Sequence, residues 1–532
     1  MIKIGSDYRV SASDLVDTIA CPHRSRLNRA AACNEPIVKN LEDEFSSLFA
    51  EHGIAHEKRV LDIYKASYQV LEFDLDQVRN SSGGYAEATR QTLDAMKRGV
   101  PVIYQAVLLH DGFLGLVDFL VARQDTSGKL FQDDSGRYVY EPVDAKLARR
   151  ERVSALVQLG GYAAVLEDMG CATPIEVHIK LGSGNTFSAR AETLMPVARQ
   201  MRSRLQEILS EPESVPVPSW GVACPACEKC KWSDHCSSGR EEARDLTLVY
   251  GMRADTRKKL VGAGISKIED LATKALPDGS GVKSETFLRL QAQAKLQIKA
   301  EKLKSGIIAE FIGNEGFDLL PLSDTGDVWF DMESDILFDL GVGLEYMFGV
   351  SSNDKPGFFT FEAHDRVAEK KAFEDFVDYV QKRLKKFPAM HVYHFANYEV
   401  AAMKRLAQRH GTRELAIDEF LRNDVFVDLY KVVCRSIRTS ARSLGLKDIE
   451  NLYMNRGATT AGQVASAVDS MVEYEKYVVL VEDGKQTEAE SVLANIRTYN
   501  QFDCESTKGL DAWLRDFAKQ SMSGGSNGRL SR

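Results

Sequence analysis

Four cysteines lie close together near the middle of this 532-residue chain, in a Cys-x2-Cys-x2-Cys-x5-Cys pattern. Thiolates at such spacings are typical metal ligands, and tetrahedral zinc and a [4Fe–4S] cluster each need four ligands. Cys224, Cys227, Cys230 and Cys236 could complete a zinc site among themselves. Cys21 could instead replace Cys224, and the cluster would then join two distant segments, where loop-closure entropy is large. The residues alone leave both ligand sets open.

The composition is that of an ordinary globular protein, with 44% hydrophobic and 27% charged residues. We find no apolar run long enough to cross a membrane and no signal peptide, so we expect a cytoplasmic protein without a membrane segment. In that reducing compartment, cysteines are more often ligands or core residues than disulfides. The net charge of -9 argues against a generic polyanion binder, although residues 251–310 hold 12 Lys and Arg against 7 Asp and Glu.

The chain divides into four regions of different character. A proline-rich segment at 211–218 precedes the cysteines, and we predict a first α/β domain at residues 1–240. Residues 241–307 are predicted to be helical. Residues 308–518 mix strand and helix patterns, which predicts a second α/β domain. The Gly- and Ser-rich end, residues 519–532, is predicted to be a disordered tail.

Within the second α/β domain, local patterns indicate individual elements. Aromatic and branched residues predict strands at 327–333, 357–361 and 390–395. Segments with a helical pattern and without glycine or proline predict helices at 367–385 and 398–410. The first of these strands ends in acids, so this domain has a candidate site at the end of a strand.

Two strand-like segments of the first domain carry acids in apolar surroundings. Asp118 lies within Gly-Leu-Val-Asp-Phe-Leu-Val, and Asp144 and Lys146 share one face of a later strand. A divalent metal held by Asp118 and Asp144 would offset the cost of burying both charges, and Lys146 could orient or activate the attacking water. A surface Asp–Lys pair on an edge strand is the alternative that this motif alone leaves open.

Three further polar residues accompany this motif: His56 in an early helix, and Gln158 and Tyr162 at helical i,i+4 spacing. In chain order, the six residues resemble the RecB-type PD-(D/E)xK nucleases, over residues 1–240. The resemblance implies a restriction-endonuclease-like domain that binds Mg²⁺ or Mn²⁺. The roles it implies are metal ligands at His56, Asp118 and Asp144, a catalytic lysine at Lys146, and site-lining side chains at Gln158 and Tyr162.

The same resemblance bears on the cysteines. Iron–sulfur members of the RecB-type family place one cysteine before the nuclease core and three after it, in the pattern Cys-x2-Cys-x5-Cys. This implies a structural [4Fe–4S] cluster on Cys21, Cys227, Cys230 and Cys236. Cys224 departs from the family pattern and keeps zinc as the alternative.

A second set of acids is spread over the last domain. Asp331 and Glu333 lie on one face at the end of a predicted strand. Tyr499 and Asp503 share one face of a late helix through their i,i+4 spacing. Between these motifs, the segment His-Phe-Ala-Asn-Tyr-Glu399 ends a strand and opens a helix. The three motifs could therefore bring four carboxylates together.

This ensemble resembles the DnaQ-type (DEDD) 3′–5′ exonucleases of the ribonuclease H-like fold, over residues 310–518. The family usually has Asp at the position of Glu399, and Asp428, near another strand end, is a competing candidate. Metal ions in such a site activate water and stabilise the leaving oxygen. The roles that the resemblance implies are metal ligands at Asp331, Glu333, Glu399 and Asp503, and a nucleophile-positioning hydroxyl at Tyr499.

The middle region contains two predicted helices joined by a turn with Gly262 and Gly264. This stretch resembles a helix-hairpin-helix, which binds phosphate through backbone N–H groups without reading sequence. The resemblance implies that Gly262, Gly264 and Lys267 bind nucleic acid. A packing linker between the two α/β domains is the alternative.

The order of these three regions resembles one family of predicted bacterial RecB-type nucleases, some of which continue into a superfamily 1 helicase. No Walker motif is present in this sequence, so we expect no ATP motor, and a separate helicase is a candidate partner. We predict a metal-dependent nuclease that hydrolyses single-stranded or end-containing DNA in repair, recombination or defence, with RNA as the other substrate class. The competing hypothesis is a non-catalytic nucleic-acid-binding scaffold with a structural metal cluster and a degenerate ribonuclease H-like domain.

Overall fold

The computed structural model describes residues 1–4, 7–33, 44–81, 83–148, 150–211, 220–303, 306–454, 464 and 466–523. The chain forms two compact units. The first comprises Met1–Arg240 and Asp339–Val342, and the second comprises Glu241–Phe338 and Gly343–Arg532. None of the described helices combines the length and the apolar composition needed to cross a membrane.

The first unit contains a mixed sheet in which β5 is central. Strand β4 pairs with one edge of β5, and β2 and β6 pair with different parts of the other edge. Strands β7 and β8 continue the sheet beyond β6. The strands are β1 (Ile2–Ile4), β2 (Asp7–Ser11), β3 (Val70–Glu72), β4 (Val102–His110), β5 (Phe113–Ala122), β6 (Tyr140–Lys146), β7 (Glu176–Leu181) and β8 (Thr186–Arg190).

Helices cover this sheet, and the most buried of them is α6. Its residues are apolar on nearly all sides, which is the pattern of a helix enclosed by other elements. Gly160 lets α7 approach closely, because a Cβ there would lie 2.9 Å from Leu194. The helices are α1 (Ala12–Ala20), α2 (Pro22–Ala32), α3 (Glu44–Ser67), α4 (Leu75–Asn80), α5 (Gly84–Lys97), α6 (Val153–Asp168), α7 (Ala191–Ser210) and α8 (Ser233–Glu242).

The second unit contains a five-stranded sheet in the order β12-β11-β10-β13-β14. Strands β10, β11 and β12 are antiparallel neighbours, whereas β13 and β14 run parallel to β10. The strands of this unit are β9 (Ala309–Phe311), β10 (Val328–Asp335), β11 (Leu344–Ser352), β12 (Phe358–Glu362), β13 (Val392–His394), β14 (Phe426–Asp428) and β15 (Ile437–Thr439).

Apolar cores form on both faces of this sheet. Phe330 of β10 stacks on Phe376 of α13, with ring centroids 4.2 Å apart, whereas Trp329 packs in the core that contains Leu510 and Leu514 of α19. The helices that follow α8 along the chain are α9 (Ala254–Gly262), α10 (Ile268–Thr273), α11 (Ser284–Leu303), α12 (Phe338–Gly341), α13 (Arg366–Lys386), α14 (Tyr398–His410), α15 (Glu414–Arg422), α16 (Leu429–Ser436), α17 (Leu446–Ile449), α18 (Ala467–Glu482) and α19 (Gln486–Ser523). Because side chains alternate along a strand, Asp331 and Glu333 lie on the same side as Trp329, beneath α19.

The middle region, residues 241–307, is helical and belongs to the second unit. Helices α9, α10 and α11 share a small apolar core. Nε2 of Gln293 in α11 donates to the carbonyl oxygen of Thr439 at 2.9 Å, which joins this region to β15. The region is therefore packed against the second α/β domain and is not a compact unit of its own.

The end of the chain departs from the sequence prediction. Helix α19 extends to Ser523, so residues 519–523 of the predicted disordered tail are helical. Residues 519–523 continue the helix whose Leu514 and Phe517 pack in the core. The rest of the predicted tail, 524–532, lies outside the described residues.

Candidate active sites and cysteine cavity

Three acidic side chains of the second unit converge between β10 and α19. Asp331 and Glu333 come from β10, and Asp503 comes from α19. One ligand oxygen from each carboxylate lies within 4.8 Å of the other two. Glu333 is 4% exposed and Asp503 is 8% exposed. Buried carboxylates this close repel one another. A divalent cation among them would be bound by all three and would remove that repulsion.

A polar cage holds these acids. Nδ2 of Asn500 donates to Oδ2 of Asp331 at 2.8 Å and to Oε1 of Glu333 at 3.4 Å. Oγ of Ser470 donates to Oε2 of Glu333 at 2.8 Å. Gly349 of β11 pairs with Asp331 of β10. It leaves room for the side chain of Asn500, because a Cβ at this position would lie 1.6 Å from Oδ1 of Asn500. That buried amide oxygen has no hydrogen-bond donor within the described part of the chain.

The electrostatics of this site favour a bound cation. Burial raises the pKa of Asp331 well above its usual value, and the carboxylates of Glu333 and Asp503 raise it further. Burial also raises the pKa of Glu333 to about 8, although the hydrogen bond from Ser470 opposes the rise. A divalent cation would favour the ionised forms again. The donor set consists of carboxylate oxygens, which Mg²⁺ and Mn²⁺ prefer, so the residues fit the predicted metal.

Tyr499 and Lys447 lie at one side of the acids. Tyr499 is one helical turn before Asp503 on α19, and its hydroxyl is 2.8 Å from Nζ of Lys447. Burial and then the charge of Asp503 raise the pKa of Tyr499 far above its usual value, so its hydroxyl keeps its proton. No sequence pattern singled out Lys447, a lone lysine in a short helix. Asn500 was also missed, although it adjoins the Tyr-x3-Asp motif.

The fourth predicted acid, Glu399, is buried near the start of α14 and lies outside the three-acid group. Its Oε2 is 3.3 Å from Nδ1 of His394, without hydrogen-bond geometry. Its charge contributes to the raised pKa of Asp331, after burial and the charges of Glu333 and Asp503. The competing candidate, Asp428, caps α16 by accepting from the backbone N–H of Tyr430 at 3.0 Å.

In the first unit, Asp118, Asp144 and Lys146 meet where β5 and β6 run side by side. Nζ of Lys146 donates to Oδ1 of Asp144 at 2.9 Å, and the N–H of Ala145 donates to Oδ2 of Asp118 at 2.9 Å. Asp144 is 1% exposed, and its Oδ2 has no hydrogen-bond partner among the described residues. Burial and then the charge of Asp144 raise the pKa of Asp118 well above its usual value. An unpartnered carboxylate oxygen beside a second acid fits a divalent cation.

Lys146 and the side chains of α6 border this acid pair. Burial alone lowers the pKa of Lys146, but the charges of Asp144 and Asp118 raise it above its usual value. Nε2 of Gln158 donates to the hydroxyl of Tyr162 at 2.9 Å, and that hydroxyl donates to the carbonyl oxygen of Leu116 in β5 at 2.7 Å. The predicted site residues Lys146, Gln158 and Tyr162 are thus held by α6 and the two strands that carry the acids.

His56, the third metal ligand that the family resemblance implies, contacts β7. Its buried ring has Nε2 3.0 Å from the carbonyl oxygen of Lys180 in β7, and Nδ1 has no hydrogen-bond partner in the described residues. The described residues include no group in which His56, Asp118 and Asp144 place ligand atoms within 4.8 Å. The structure therefore brings the two acids together without His56.

Glu57, the next residue along α3, faces the acid pair and was missed in the sequence. Burial and then the charge of Asp118 raise the pKa of Glu57, and Lys146 opposes that rise. Nε2 of Gln105 donates to Oε1 of Glu57. Gln105 interrupts β4 with a φ of 53°, a left-handed conformation that is rare for a residue other than glycine. Such strain at the acid pair indicates a position held for function.

A cleft of about 270 Å³ opens beside Lys146 and Gln158. Phe49 of α3 lines it and is 41% exposed. Arg150 and Arg152, which follow β6, also line it and are exposed. Within the described ranges, neither guanidinium forms an ion pair with an acidic side chain. Asp17 and Glu151 also line the cleft, so its charge is mixed, and its exposed aromatic ring and two arginines are the groups suited to a phosphate-bearing strand.

The five clustered cysteines all line one small cavity in the first unit. Sγ of Cys224 and Sγ of Cys227 are 3.9 Å apart. Nε1 of Trp232 donates to Oδ1 of Asn28 in α2 at 2.9 Å, which joins the cysteine-rich segment to the N-terminal helices. Among the described cysteines, no three sulfur atoms lie within 4.8 Å of one another. The cavity is lined by Cys21, Cys224, Cys227, Cys230 and Cys236.

The glycine turn of the middle region uses several of its own backbone donors. Gly264 has a φ of 81°, and its N–H donates to the carbonyl oxygen of Val261 at 3.1 Å. Asp270 accepts from the N–H groups of Ser266 and Lys267, each at 3.3 Å. Gly262, Gly264 and Lys267 are exposed, but these contacts already use the N–H groups of Gly264 and Lys267. A phosphate at this turn would have to displace Asp270 or bind through side chains.

One further group of possible ligands lies in the first unit, at Glu141, Glu176 and His178. Arg123 donates to Oε2 of Glu176 at 2.9 Å and also to Glu141. Nε2 of His178 is 3.1 Å from Oε2 of Glu141. A guanidinium already supplies the positive charge among these acids, so this group is an ion-pair network.

The comparisons with known proteins bear on the second unit. Residues 328–515 match the family model RNase_H_2 of the RNase H superfamily. A comparison with curated proteins finds no match for the chain. The matched range begins with β10 and ends within α19, so it includes all four predicted acids and Tyr499. The superfamily supports a metal-dependent, nucleic-acid-processing function for this part of the chain. Residues 328–515 therefore form an RNase H-like domain.

Proposed function

We propose that this protein is a Mg²⁺- or Mn²⁺-dependent nuclease that hydrolyses phosphodiester bonds in DNA, and that its RNase H-like domain acts as a DEDD-type exonuclease. The observation that carries this proposal is the convergence of Asp331, Glu333 and Asp503 within 4.8 Å in that domain. Glu399 is the fourth acid of the proposed set, because its charge reaches Asp331. The substrate is a single strand or an end-containing duplex.

The side chains around these acids have separate tasks. Bound divalent ions would activate water and neutralise the charge that develops on the phosphate. Asn500 and Ser470 fix the orientation of the acids on β10 through the hydrogen bonds described above. Tyr499 keeps its proton and can therefore donate a hydrogen bond to the attacking oxygen or to the phosphate. Burial of the acids strengthens each of these interactions.

Cleavage of end-labelled strands tests the proposal. Linear single strands, duplexes with ends and closed circles, in DNA and in RNA, are incubated with Mn²⁺ or with EDTA. We expect the wild type to shorten linear DNA to a ladder of products when Mn²⁺ is present. Asp331→Ala should lose this ladder, whereas Asp483→Asn, which changes an exposed acid on the same unit, should keep it. Intact substrates, or an Asp331→Ala variant as active as the wild type, would overturn it.

We further propose that the first unit is a RecB-type PD-(D/E)xK nuclease centred on Asp118, Asp144 and Lys146. The unpartnered oxygen of Asp144 and its 2.9 Å contact with Lys146 support this assignment. The cleft with Arg150 and Arg152 supports a phosphate-bearing substrate. In this proposal Lys146 orients the attacking water, Gln158 and Tyr162 line the site, and the acid pair holds the cation.

A binding scaffold is the second candidate for the first unit, and the observation that favours it is the position of His56 against Lys180. If the contact of Nε2 with Lys180 kept His56 from binding the metal, the metal would have fewer ligands. Lys146→Ala separates the two candidates in a protein whose second site is silenced by Asp331→Ala. Residual cleavage that disappears with Lys146→Ala supports the nuclease, whereas strand binding without any cleavage supports the scaffold.

We propose that Cys21, Cys227, Cys230 and Cys236 hold a structural [4Fe–4S] cluster. Thiolates around tetrahedral zinc are about 3.8 Å apart, given a Zn–S bond of about 2.3 Å. The described cysteines include no three whose sulfur atoms lie within 4.8 Å of one another, so a closely spaced zinc set is not formed. Sγ of Cys224 and Sγ of Cys227, at 3.9 Å, have a zinc-like spacing, which keeps zinc as the alternative.

Anaerobic purification with iron and zinc analysis tests the cluster. We expect about four iron atoms per chain and a brown colour, both lost in Cys21→Ser and kept in Cys171→Ser, a cysteine outside the cavity. A colourless protein with stoichiometric zinc that survives Cys21→Ser and is lost in Cys224→Ser would replace the cluster with a local zinc site.

A further inference from the structure

Lys447 brings a positive charge to the acids of the second site. Its Nζ is 2.8 Å from the hydroxyl of Tyr499 and 4.7 Å from the centroid of that ring. Its charge lowers the pKa of Glu333, against the larger effect of burial. The ammonium therefore lies close enough to act on both the tyrosine and the carboxylates.

The backbone around Lys447 is fixed against α19. Ile449, two residues later in α17, is fully buried in the core that contains Leu510. Glu450 accepts a hydrogen bond from Oγ of Ser506 in α19 at 2.7 Å. The helix that carries Tyr499 and Asp503 is thus also the helix on which α17 rests, so Lys447 is held in register with them.

The chemistry of the contact fixes the direction of the hydroxyl proton. A lysine ammonium has three donors and no acceptor, so the oxygen of Tyr499 must accept from Lys447. A phenol has only one proton, and that proton must then point away from Lys447. Asp503 lies one helical turn after Tyr499, on the same face of α19. Lys447 thus fixes the direction in which Tyr499 donates, on the helix face that also carries Asp503.

We propose that Lys447 is a positioning residue of the second site, which orients the Tyr499 hydroxyl toward the reacting groups and offsets part of the charge of the carboxylates. This inference rests on the proposed nuclease function of that site. The two roles have distinct consequences. Loss of Lys447 removes the orientation of Tyr499 and slows turnover, but it also removes a cation that competes with the metal, so it tightens Mn²⁺ binding.

The test uses the full chain with Lys146→Ala, so that only the second site can cleave. Lys447→Met, Lys447→Arg, Tyr499→Phe and the Lys447→Met/Tyr499→Phe double variant are compared, with Lys476→Met as the control on an exposed, ion-paired lysine of α18. Single-turnover cleavage gives the rate, and titration calorimetry with Mn²⁺ alone gives the affinity. Thermal unfolding confirms that each variant is folded.

We expect Lys447→Met and Tyr499→Phe each to slow cleavage by about tenfold to a hundredfold, and the double variant to be no slower than the slower single variant. Lys447→Met should bind Mn²⁺ at least about threefold more tightly, whereas Lys447→Arg should keep the wild-type affinity. A double variant whose loss is the product of the single losses, or a Lys447→Met variant with unchanged or weaker Mn²⁺ affinity, would overturn the proposal.

The two readouts separate this inference from the proposed function. If the Lys146→Ala protein cleaves nothing and Asp331→Ala changes nothing, the nuclease function of the second site fails. The Mn²⁺ affinities still judge Lys447 in that case, because they need no turnover. Tighter binding in Lys447→Met supports its place at the acids, and weaker binding assigns it a merely structural role.

Discussion

At the scale of single residues, both candidate sites place like charges in buried positions. Asp331 and Asp503 could be predicted because strand alternation and helical i,i+4 spacing are local patterns. Lys447, Asn500 and Glu57 could not, because only the approach of elements that are distant in the chain brings them to the acids. Local sequence patterns thus predict the acids that share one face of a strand or helix. They do not predict which residues of other elements contact those acids.

Gly349 illustrates how one residue without a side chain permits the second site. We expect Gly349→Ala to destabilise the protein by about 1–3 kcal/mol and to weaken Mn²⁺ binding, because its Cβ would lie 1.6 Å from Oδ1 of Asn500. Asn500 would then lose its hydrogen bond to Asp331. Urea unfolding and Mn²⁺ calorimetry measure the two effects. Gly313→Ala is the control, since its nearest neighbour is 4.0 Å away. Equal stability of the two variants would contradict this prediction.

At the scale of elements, the accuracy of the sequence predictions depends on how completely an element is buried. The predicted strand at 327–333 corresponds to β10, and the predicted helices at 367–385 and 398–410 correspond to α13 and α14. Strand β11 was missed, although it pairs with β10 along most of its length. All nine of its residues are buried, so it has no alternation of polar and apolar side chains. The alternation of polar and apolar residues that identifies a half-exposed strand is therefore absent from a strand that is buried on both faces.

Glu369 joins three elements of the second unit. It lies on α13, is fully buried, and accepts from the backbone N–H of Glu345 in β11 at 2.8 Å. Arg409 and His410 of α14 contact its carboxylate at 2.9 and 2.8 Å. Burial alone raises the pKa of Glu369, but the backbone N–H of Glu345 and the charge of Arg409 lower it below its usual value. The ionised carboxylate therefore stabilises the packing of α13 on α14 and β11.

We expect Glu369→Gln to lower the free energy of unfolding by about 3–5 kcal/mol at pH 7, because it leaves the partly buried guanidinium of Arg409 without a counter-charge. The folded-state pKa is depressed, so the contribution of the carboxylate is present above the unfolded pKa of about 4.3 and is lost as the pH falls through the folded pKa. Urea unfolding at pH 7 and at successively lower pH should show the difference between wild type and variant shrinking with acid.

A control variant and a contrary outcome accompany this measurement. Asp375→Asn removes an exposed ion pair with Lys371 on the same helix and should change stability by less than about 1 kcal/mol. A difference between wild type and Glu369→Gln that stays constant across the acid range would mean that the carboxylate is not ionised in the folded protein. The network would then hold α13 through neutral hydrogen bonds.

At the scale of the whole molecule, the chain contains two compact units, and each has its own pair of strand acids. The order of domains is a prediction from the sequence, because a proline-rich segment and changes of pattern mark the expected limits. The attachment of residues 241–307 to the second unit could not, because it depends on contacts such as that between Gln293 and Thr439, far apart in the chain. Two acid sites in one chain predict two separable activities.

Lys146→Ala and Asp503→Asn should therefore remove different products. Loss of Lys146 should slow cleavage at the first site by about 10²- to 10⁴-fold, the range for a side chain that assists proton transfer. Asp503→Asn keeps the size of the side chain but removes one ligand charge, and it should abolish only the Mn²⁺-dependent ladder from DNA ends. The double variant should cleave nothing, with Lys129→Ala and Asp483→Asn as exposed controls. If either single variant removed all cleavage, the two sites would have to act in sequence on one substrate, and the assignment of an independent activity to each unit would be wrong.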